Sequence, residues 1–217
     1  HQGLPVFYAP GNTRNGEGTW MVIPAELQRK VLQDGVTFSS NRRIFSSALG
    51  EDWPLIPLEI DPPEHGKWRS MLNPLLSPKR VIAMEASVRE RAAELIEAIK
   101  ARGNSCKVME DFAFPFAVSI FLQFLGIGNE RLPEFVAWAE DQIHGAPDKR
   151  TAAARRFMAY LDELQALRRR EPVDDFMSFV TQAEIDGRKM TEQEVRSMAI
   201  LILVAGLDTV AAALGFD

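Results

Sequence analysis

The sequence predicts a mainly α-helical protein of about eight helices with a small amino-terminal β-hairpin. Three observations carry this prediction. Apolar residues recur at steps of three and four over long windows, as in Val81, Met84, Val88, Ala92, Leu95 and Ile99, a spacing that places them on one helix face. Helix-opening signatures precede such windows, notably Asp61-Pro62-Pro63-Glu64 and Thr191-Glu192-Gln193-Glu194, where a capping side chain is followed three residues later by an acid. β-Like runs are confined to the start of the chain, in Pro5-Val6-Phe7-Tyr8 and Thr19-Trp20-Met21-Val22-Ile23.

In chain order, those two runs flank the turn-rich segment from Gly11 to Gly18 and predict a hairpin. Pro24 suits the first turn of a helix to about Gln33, with Gly35 as its stop. Residues 35–60 show no sustained period and carry Pro54 and Pro57, so they read as loop. The Asp61 start, with both prolines in the first turn, opens a helix carrying His65, Trp68, Arg69 and Leu72, restricted at Pro74. Ser77-Pro78 opens the next, stopped at Gly103-Asn104. Residues 108–125 read as a buried helix kinked at Pro115. A turn at Gly126 to Asn129 leads to helices over 131–144, 149–170 and 174–184, with Asp186-Gly187 as a turn. The last helix starts at Thr191 and contains Ile200 to Thr209, whose pattern resumes as Val210 to Leu214. The elements form one domain over residues 1–217.

Bulk properties narrow the function. The 217 residues carry 46% apolar and 25% charged side chains, ordinary for a globular protein. A net charge of −5 argues against a general nucleic-acid binder. The lone Cys106 forms no internal disulfide, which fits a reducing cytoplasm. The longest apolar run, Met198 to Leu207, is too short to span a bilayer, which takes roughly 20 residues. No signal peptide stands out. The histidines His1, His65 and His144 share no ligand spacing, so no metal site is expected.

Two constellations bear chemistry. His65 and Arg69 stand at i and i+4 and share a helix face, where both can donate charge-assisted hydrogen bonds to a carboxylate or phosphate. An exposed His and an Arg paired with a neighbouring acid satisfy the same spacing. The second is Ala205-Gly206-Leu207-Asp208-Thr209. A helical Gly costs about 1 kcal/mol relative to Ala, and an Asp in an apolar run needs a partner or water. A Thr209 hydroxyl bonded back to the Ala205 carbonyl would loosen the helix and leave room for water. Asp208 and Thr209 then suit a proton donor and its relay. The competing account is a helix that ends at Gly206, with Asp208 or Thr209 capping another.

Together these stretches are recognisable. Ile60-Asp61-Pro62-Pro63-Glu64-His65-Gly66-Lys67-Trp68-Arg69 with Leu76-Ser77-Pro78, and Ala205-Gly206-Leu207-Asp208-Thr209, joined by Asp174 to Phe179 and Met190 to Glu194, resemble the cytochrome P-450 haem-thiolate monooxygenases of the soluble bacterial type. The wording is most similar to that of the camphor- and terpene-hydroxylating members. The resemblance implies an oxidoreductase in which His65 and Arg69 hold the haem propionates. Ala205 and Gly206 would form the oxygen-binding groove, Thr209 would stabilise bound oxygen, and Asp208 would help deliver protons for O–O cleavage. Leu201 and Val204 would face substrate, and the loop before the propionate helix adds Trp53, Leu55 and Leu58. One oxygen atom of O2 would enter a small apolar, terpene-like substrate, with electrons from a ferredoxin-type donor.

One departure from the family is large. Its axial Cys thiolate lies in a Gly-rich loop well past the central helix, and Asn104-Ser105-Cys106-Lys107 lacks that context. Cys106 reads better as a small packing residue. Glu26-Leu27-Gln28-Arg29 has the spelling of the family's Glu-x-x-Arg pair, but on an early helix. Helical propensity runs unbroken to Leu214, so the expectation is an amino-terminal half ending within the central distal helix. On that expectation the 217 residues alone neither bind haem through a thiolate nor hydroxylate. The alternative is a truncated or degenerate helical scaffold that acts as a binding module without redox chemistry.

Overall fold

A computed structural model describes residues 3–11, 16–41, 52–103 and 105–216, without the side chains at positions 143, 204, 207, 208 and 216. The chain divides into two compact units, His1–Arg42 and Arg43–Asp217.

The first unit is the expected hairpin and helix. Strands β1 (Val6–Ala9) and β2 (Thr19–Val22) pair antiparallel, with Val6 opposite Val22 and Tyr8 opposite Trp20. The Tyr8 and Trp20 rings meet edge to face at 5.3 Å, a favoured aromatic geometry. Helix α1 (Ala25–Gln33) follows Pro24, and Asp34 ends it one residue before Gly35. The Gln28 side-chain amide donates to the carbonyls of Val22 (2.9 Å) and Ile23 (3.2 Å), tying α1 to β2.

The second unit holds the core. Its helices are α2 (Glu64–Leu72), α3 (Pro78–Arg102), α4 (Phe114–Leu125), α5 (Leu132–His144), α6 (Pro147–Arg170), α7 (Phe176–Gln182) and α8 (Glu192–Phe216). Met84, Val88, Ala92, Leu95 and Ile99 form the less exposed side of α3, as their spacing requires, while Val81 at its start stays 58% exposed. Phe135 and Trp138 of α5 meet Phe157 and Tyr160 of α6 in ring contacts of 5.1 to 6.5 Å. Arg131 lies over the Tyr160 ring at 4.3 Å, a cation–π contact. Burial holds the Tyr160 hydroxyl above its ordinary pKa, against the opposing hydrogen bond from Arg131.

Five helices differ from expectation in bounds or form. Helix α2 begins at Glu64, so the two prolines lie ahead of it. Its first amides bond back to that approach, His65 N–H to the Asp61 carbonyl and Gly66 N–H to that of Pro63. Where the sequence predicts a kink at Pro115, a wide π-helical turn, Met109–Ala113, runs into α4. Pro115 has no N–H to close a bond four residues back, and the wide turn takes up the mismatch. The helix over 174–184 is shorter, because Glu184–Ile185 (β3) pairs with Arg188–Lys189 (β4). That turn, Asp186-Gly187, has φ of 50° and 77°, the two positive values of a tight hairpin turn. Helices 131–144 and 149–170 start at Leu132 and Pro147, shifts of one and two residues.

One junction locks three helices. Asp175 caps α7 by accepting the Ser178 N–H at 2.6 Å, and its other oxygen accepts from the Arg168 Nε at 2.5 Å. Arg168 also donates to the Gly126 carbonyl at 2.9 Å. Gly126 ends α4 at φ 76°, and a Cβ there would lie 2.1 Å from the Asp175 carboxylate. The left-handed backbone and the close carboxylate both demand glycine. Among the described residues no helix is long and apolar enough to cross a membrane.

Candidate functional site

The site is built on α2, α8 and the loop before α2. Trp68 and Leu72 of α2 are buried at 7% and 5% exposure, so Trp68 packs into the core. Their burial leaves His65, half-buried, and Arg69, exposed, one turn apart along the helix edge. Among the described residues neither side chain has a hydrogen-bond or ion-pair partner. The expected competing acid is therefore not engaged: Glu64 makes no ion pair with Arg69 among the described residues. Two free donors at that spacing fit a pair of carboxylates. Lys67, on another face, is paired with Asp186 at 2.7 Å.

Helix α8 starts where its sequence says. Thr191 N–H donates to the Glu194 carboxylate at 2.8 Å, and Glu194 N–H donates back to the Thr191 hydroxyl at 3.2 Å, a complete capping box. Arg188 grips the same carboxylate through two bonds of 2.8 and 2.6 Å. Chiefly through Arg188, and with help from the Thr191 amide, the Glu194 carboxyl is held below its usual range.

Further along, α8 continues through Gly206 without a break, against the account in which the helix ends there. The Thr209 hydroxyl donates to the Ala205 carbonyl at 2.6 Å, the bond read from the four-residue spacing. Ala205 and Thr209 are exposed and Gly206 half-buried. The backbones of Val204 and Asp208 belong to α8, but their side chains lie outside the described residues. An apolar cleft of about 330 Å³ opens beside this segment, between Met84 and Val88 of α3, Ile120 and Phe121 of α4, and Ala205 and Gly206 of α8. A Cβ at Gly206 would meet the Phe121 ring at 3.6 Å, so the glycine leaves part of the cleft open.

Of the five expected substrate contacts, the four with described side chains, Trp53, Leu55, Leu58 and Leu201, do not line that cleft. Leu55 is 0% exposed and Trp53 7% exposed, both within the core, while Leu58 is 44% exposed. Leu201 is half-buried one turn ahead of Ala205. Nor does any hydrogen bond or ion pair among the described residues join His65 or Arg69 to the α8 segment. The sequence reading missed the clamp on the loop. The Ser197 hydroxyl of α8 accepts the Ile56 N–H and donates to the Pro54 carbonyl, both at 2.7 Å. The Glu59 carboxylate, also buried, accepts the Leu55 N–H at 2.9 Å. The available signal was slight: a small polar residue, Ser197, directly ahead of the apolar run from Met198 to Leu207.

Comparison with known proteins gives one consistent answer. No family model matches the chain. It is 56% identical over 215 residues to the probable cytochrome P450 127A1 of Sinorhizobium fredii, covering 99% of this chain and 52% of that protein. The fold is similar to the crystal structure of CYP101J2, with a TM-score of 0.81 and 32% identity over 98% of this chain and 52% of that one. It is also similar to a mutant of P450 EryK in complex with erythromycin B, with a TM-score of 0.79 and 28% identity over 97% of this chain and 54% of that one. The chain thus spans about half the length of the curated relatives it matches. The mainly helical fold agrees with these matches, each of which covers nearly all of this chain: the chain belongs to the cytochrome P450 family.

Proposed function

We propose that this chain is the amino-terminal half of a haem-dependent monooxygenase, a single domain that places α2 at the haem propionates and α8 over the haem. Cytochromes P450 use haem iron, which when bound supplies the redox chemistry that the side chains lack. The observation that carries the reading is the donor pair His65 and Arg69, one turn apart and without a protein partner among the described residues. A propionate carboxylate would give each charge-assisted hydrogen bonds.

On α8, Ala205 and Gly206 contribute a backbone groove free of bulky side chains. The Thr209 hydroxyl, already oriented by the Ala205 carbonyl, is placed to hold a water or pass a proton at its Oγ. Asp208, next in sequence, is the proton source in this reading. Leu201 and Val204 face substrate a turn ahead, with Leu58 at the loop edge. Trp53 and Leu55, both buried, support that loop from beneath. The substrate we favour is small and apolar, as the apolar cleft beside Gly206 supports, and terpene-like by the wording of the motifs. The P450 EryK structure, in complex with erythromycin B, makes a macrolide the contrasting size class. A ferredoxin-type protein is the proposed electron donor, O2 the oxidant, and the cytoplasm the compartment.

The test is the CO-difference spectrum of the reduced protein, expressed in its parent reading frame and supplied with haem. A thiolate-type Soret band is expected there, and its absence would overturn the reading. In that protein Thr209→Ala should keep haem while diverting electrons to hydrogen peroxide, and Arg69→Ala should weaken haem retention. Spin-state titration with a terpene and with a macrolide separates the two substrate sizes.

A further inference from the structure

We propose that Ser197 is a positioning residue, fixing the loop over 53–59 as the wall at the upstream end of the α8 groove and so limiting the size of molecule the groove admits. This rests on the haem-monooxygenase reading above.

Ser197 is 1% exposed, and its hydroxyl bonds twice to one stretch of backbone, accepting from Ile56 and donating to Pro54 at 2.7 Å each. These bonds span 141 and 143 residues of chain, so they set a tertiary position and not a local turn. The Ile56 amide belongs to a residue only 5% exposed, and a buried polar group left unpaired is costly. The loop is stiffened from within as well. Leu55 N–H is held by the buried Glu59 carboxylate, and the Glu59 N–H returns to the Leu55 carbonyl at 2.8 Å. The segment therefore moves as a block, and Ser197 is its fixing point on α8.

That fixing point lies in line with the proposed groove. Ser197, Leu201 and Ala205 follow one another at steps of four, so each is the next residue up the helix surface. Exposure rises along that line: Ser197 is buried, Leu201 half-buried, Ala205 exposed. The loop covers the helix at Ser197, and the helix emerges by Ala205. Leu58, 44% exposed, is the loop side chain left with free surface. A displacement of the block along α8 would lengthen or shorten the groove without touching Thr209.

The experiment uses the haem-loaded protein and two azole probes, imidazole and phenylimidazole, each titrated by the shift of the Soret band. Imidazole needs the iron but little of the pocket, whereas phenylimidazole needs room beside it. Ser197→Ala should change phenylimidazole affinity about tenfold, the equivalent of about 1.4 kcal/mol, with imidazole unchanged to within about twofold. Amide exchange at Ile56 should accelerate in Ser197→Ala, while Ser197→Thr, which keeps the hydroxyl, should retain protection and affinity. Ser197→Cys keeps volume with weak hydrogen bonding and replaces the alanine variant should that one not fold. Unchanged Ile56 exchange, or equal effects on both azoles, would overturn the proposal. If neither azole moves the spectrum of the unsubstituted protein, the haem reading fails and the wall role with it, while Ile56 exchange still reports whether Ser197 holds the loop.

Discussion

The two ends of α8 are built to different rules. From Thr191 to Leu203 the helix is capped, gripped by Arg188 and buried, with Val195 at 0%, Met198 at 1% and Ala199 at 0% exposure. From Ala205 to Val210 it carries a glycine, a back-bonded threonine and exposed small side chains beside an apolar cleft. One helix thus holds an anchor and the segment proposed to work at the haem, and that segment gives up stability that the anchor supplies. Substitutions in the first part should cost stability, and some in the second should add it.

The largest effect tests the anchor. Met198→Ala removes a side chain 1% exposed and should destabilise by about 2–5 kcal/mol, read from the midpoint of denaturant unfolding. Loss within the range of a surface change would show that the anchor end is not close-packed. Next is the cap: Thr191→Ala deletes the acceptor for the Glu194 amide and should cost about 1 kcal/mol. The opposite sign is expected at Gly206→Ala. The added methyl meets Phe121 at an ordinary 3.6 Å, so up to about 1 kcal/mol of helix propensity is gained, while the cleft narrows. A destabilised Gly206→Ala would erase the contrast between the two ends.

A smaller effect is carried by pH. The Glu194 carboxyl titrates below its ordinary value, mainly because Arg188 bonds to it. Its folded pKa is the lower one, so its contribution is present above the ordinary carboxylate range and is lost as pH falls through the folded value. The acid limb of a stability–pH profile should therefore flatten in Glu194→Gln, with the α8 start fraying first by amide exchange. The smallest change is at Thr209→Ala, within about 0.5 kcal/mol, because the bond it removes is exposed and a back-bonding threonine favours its helix little.

What could be read from the sequence divides along the range of the forces involved. The capping box at Thr191 and Glu194 was legible because both partners sit within one turn. So were the shared face of His65 and Arg69 and the Thr209 bond to Ala205, each fixed by a spacing of four. That the helix is irregular next to Pro115 was legible, but not the π-helical form of the irregularity, which depends on how the preceding turn meets α4. Helix α2 was placed two residues early, since prolines are as compatible with a first helical turn as with the approach to one. The β3–β4 pairing escaped because two-residue strands carry no alternation, although Asp186-Gly187 marked the turn. Least legible was the loop before α2. Its lack of period was plain, but its burial comes from Ser197, 141 residues downstream of Ile56, and no local pattern reports such a partner.

The junction at Gly126 has a consequence for anyone who diversifies this sequence. A library randomised at position 126 should return glycine alone, because any side chain would occupy the space of the Asp175 carboxylate and strand Arg168. Randomised at position 66, on the outer side of α2 where a Cβ meets nothing within 4 Å, the same library should return many residues. Two glycines of equal weight in the composition thus differ widely in tolerance. Mutational freedom here follows whether a neighbouring charge already fills the space, and a recombination breakpoint belongs nearer the second glycine than the first.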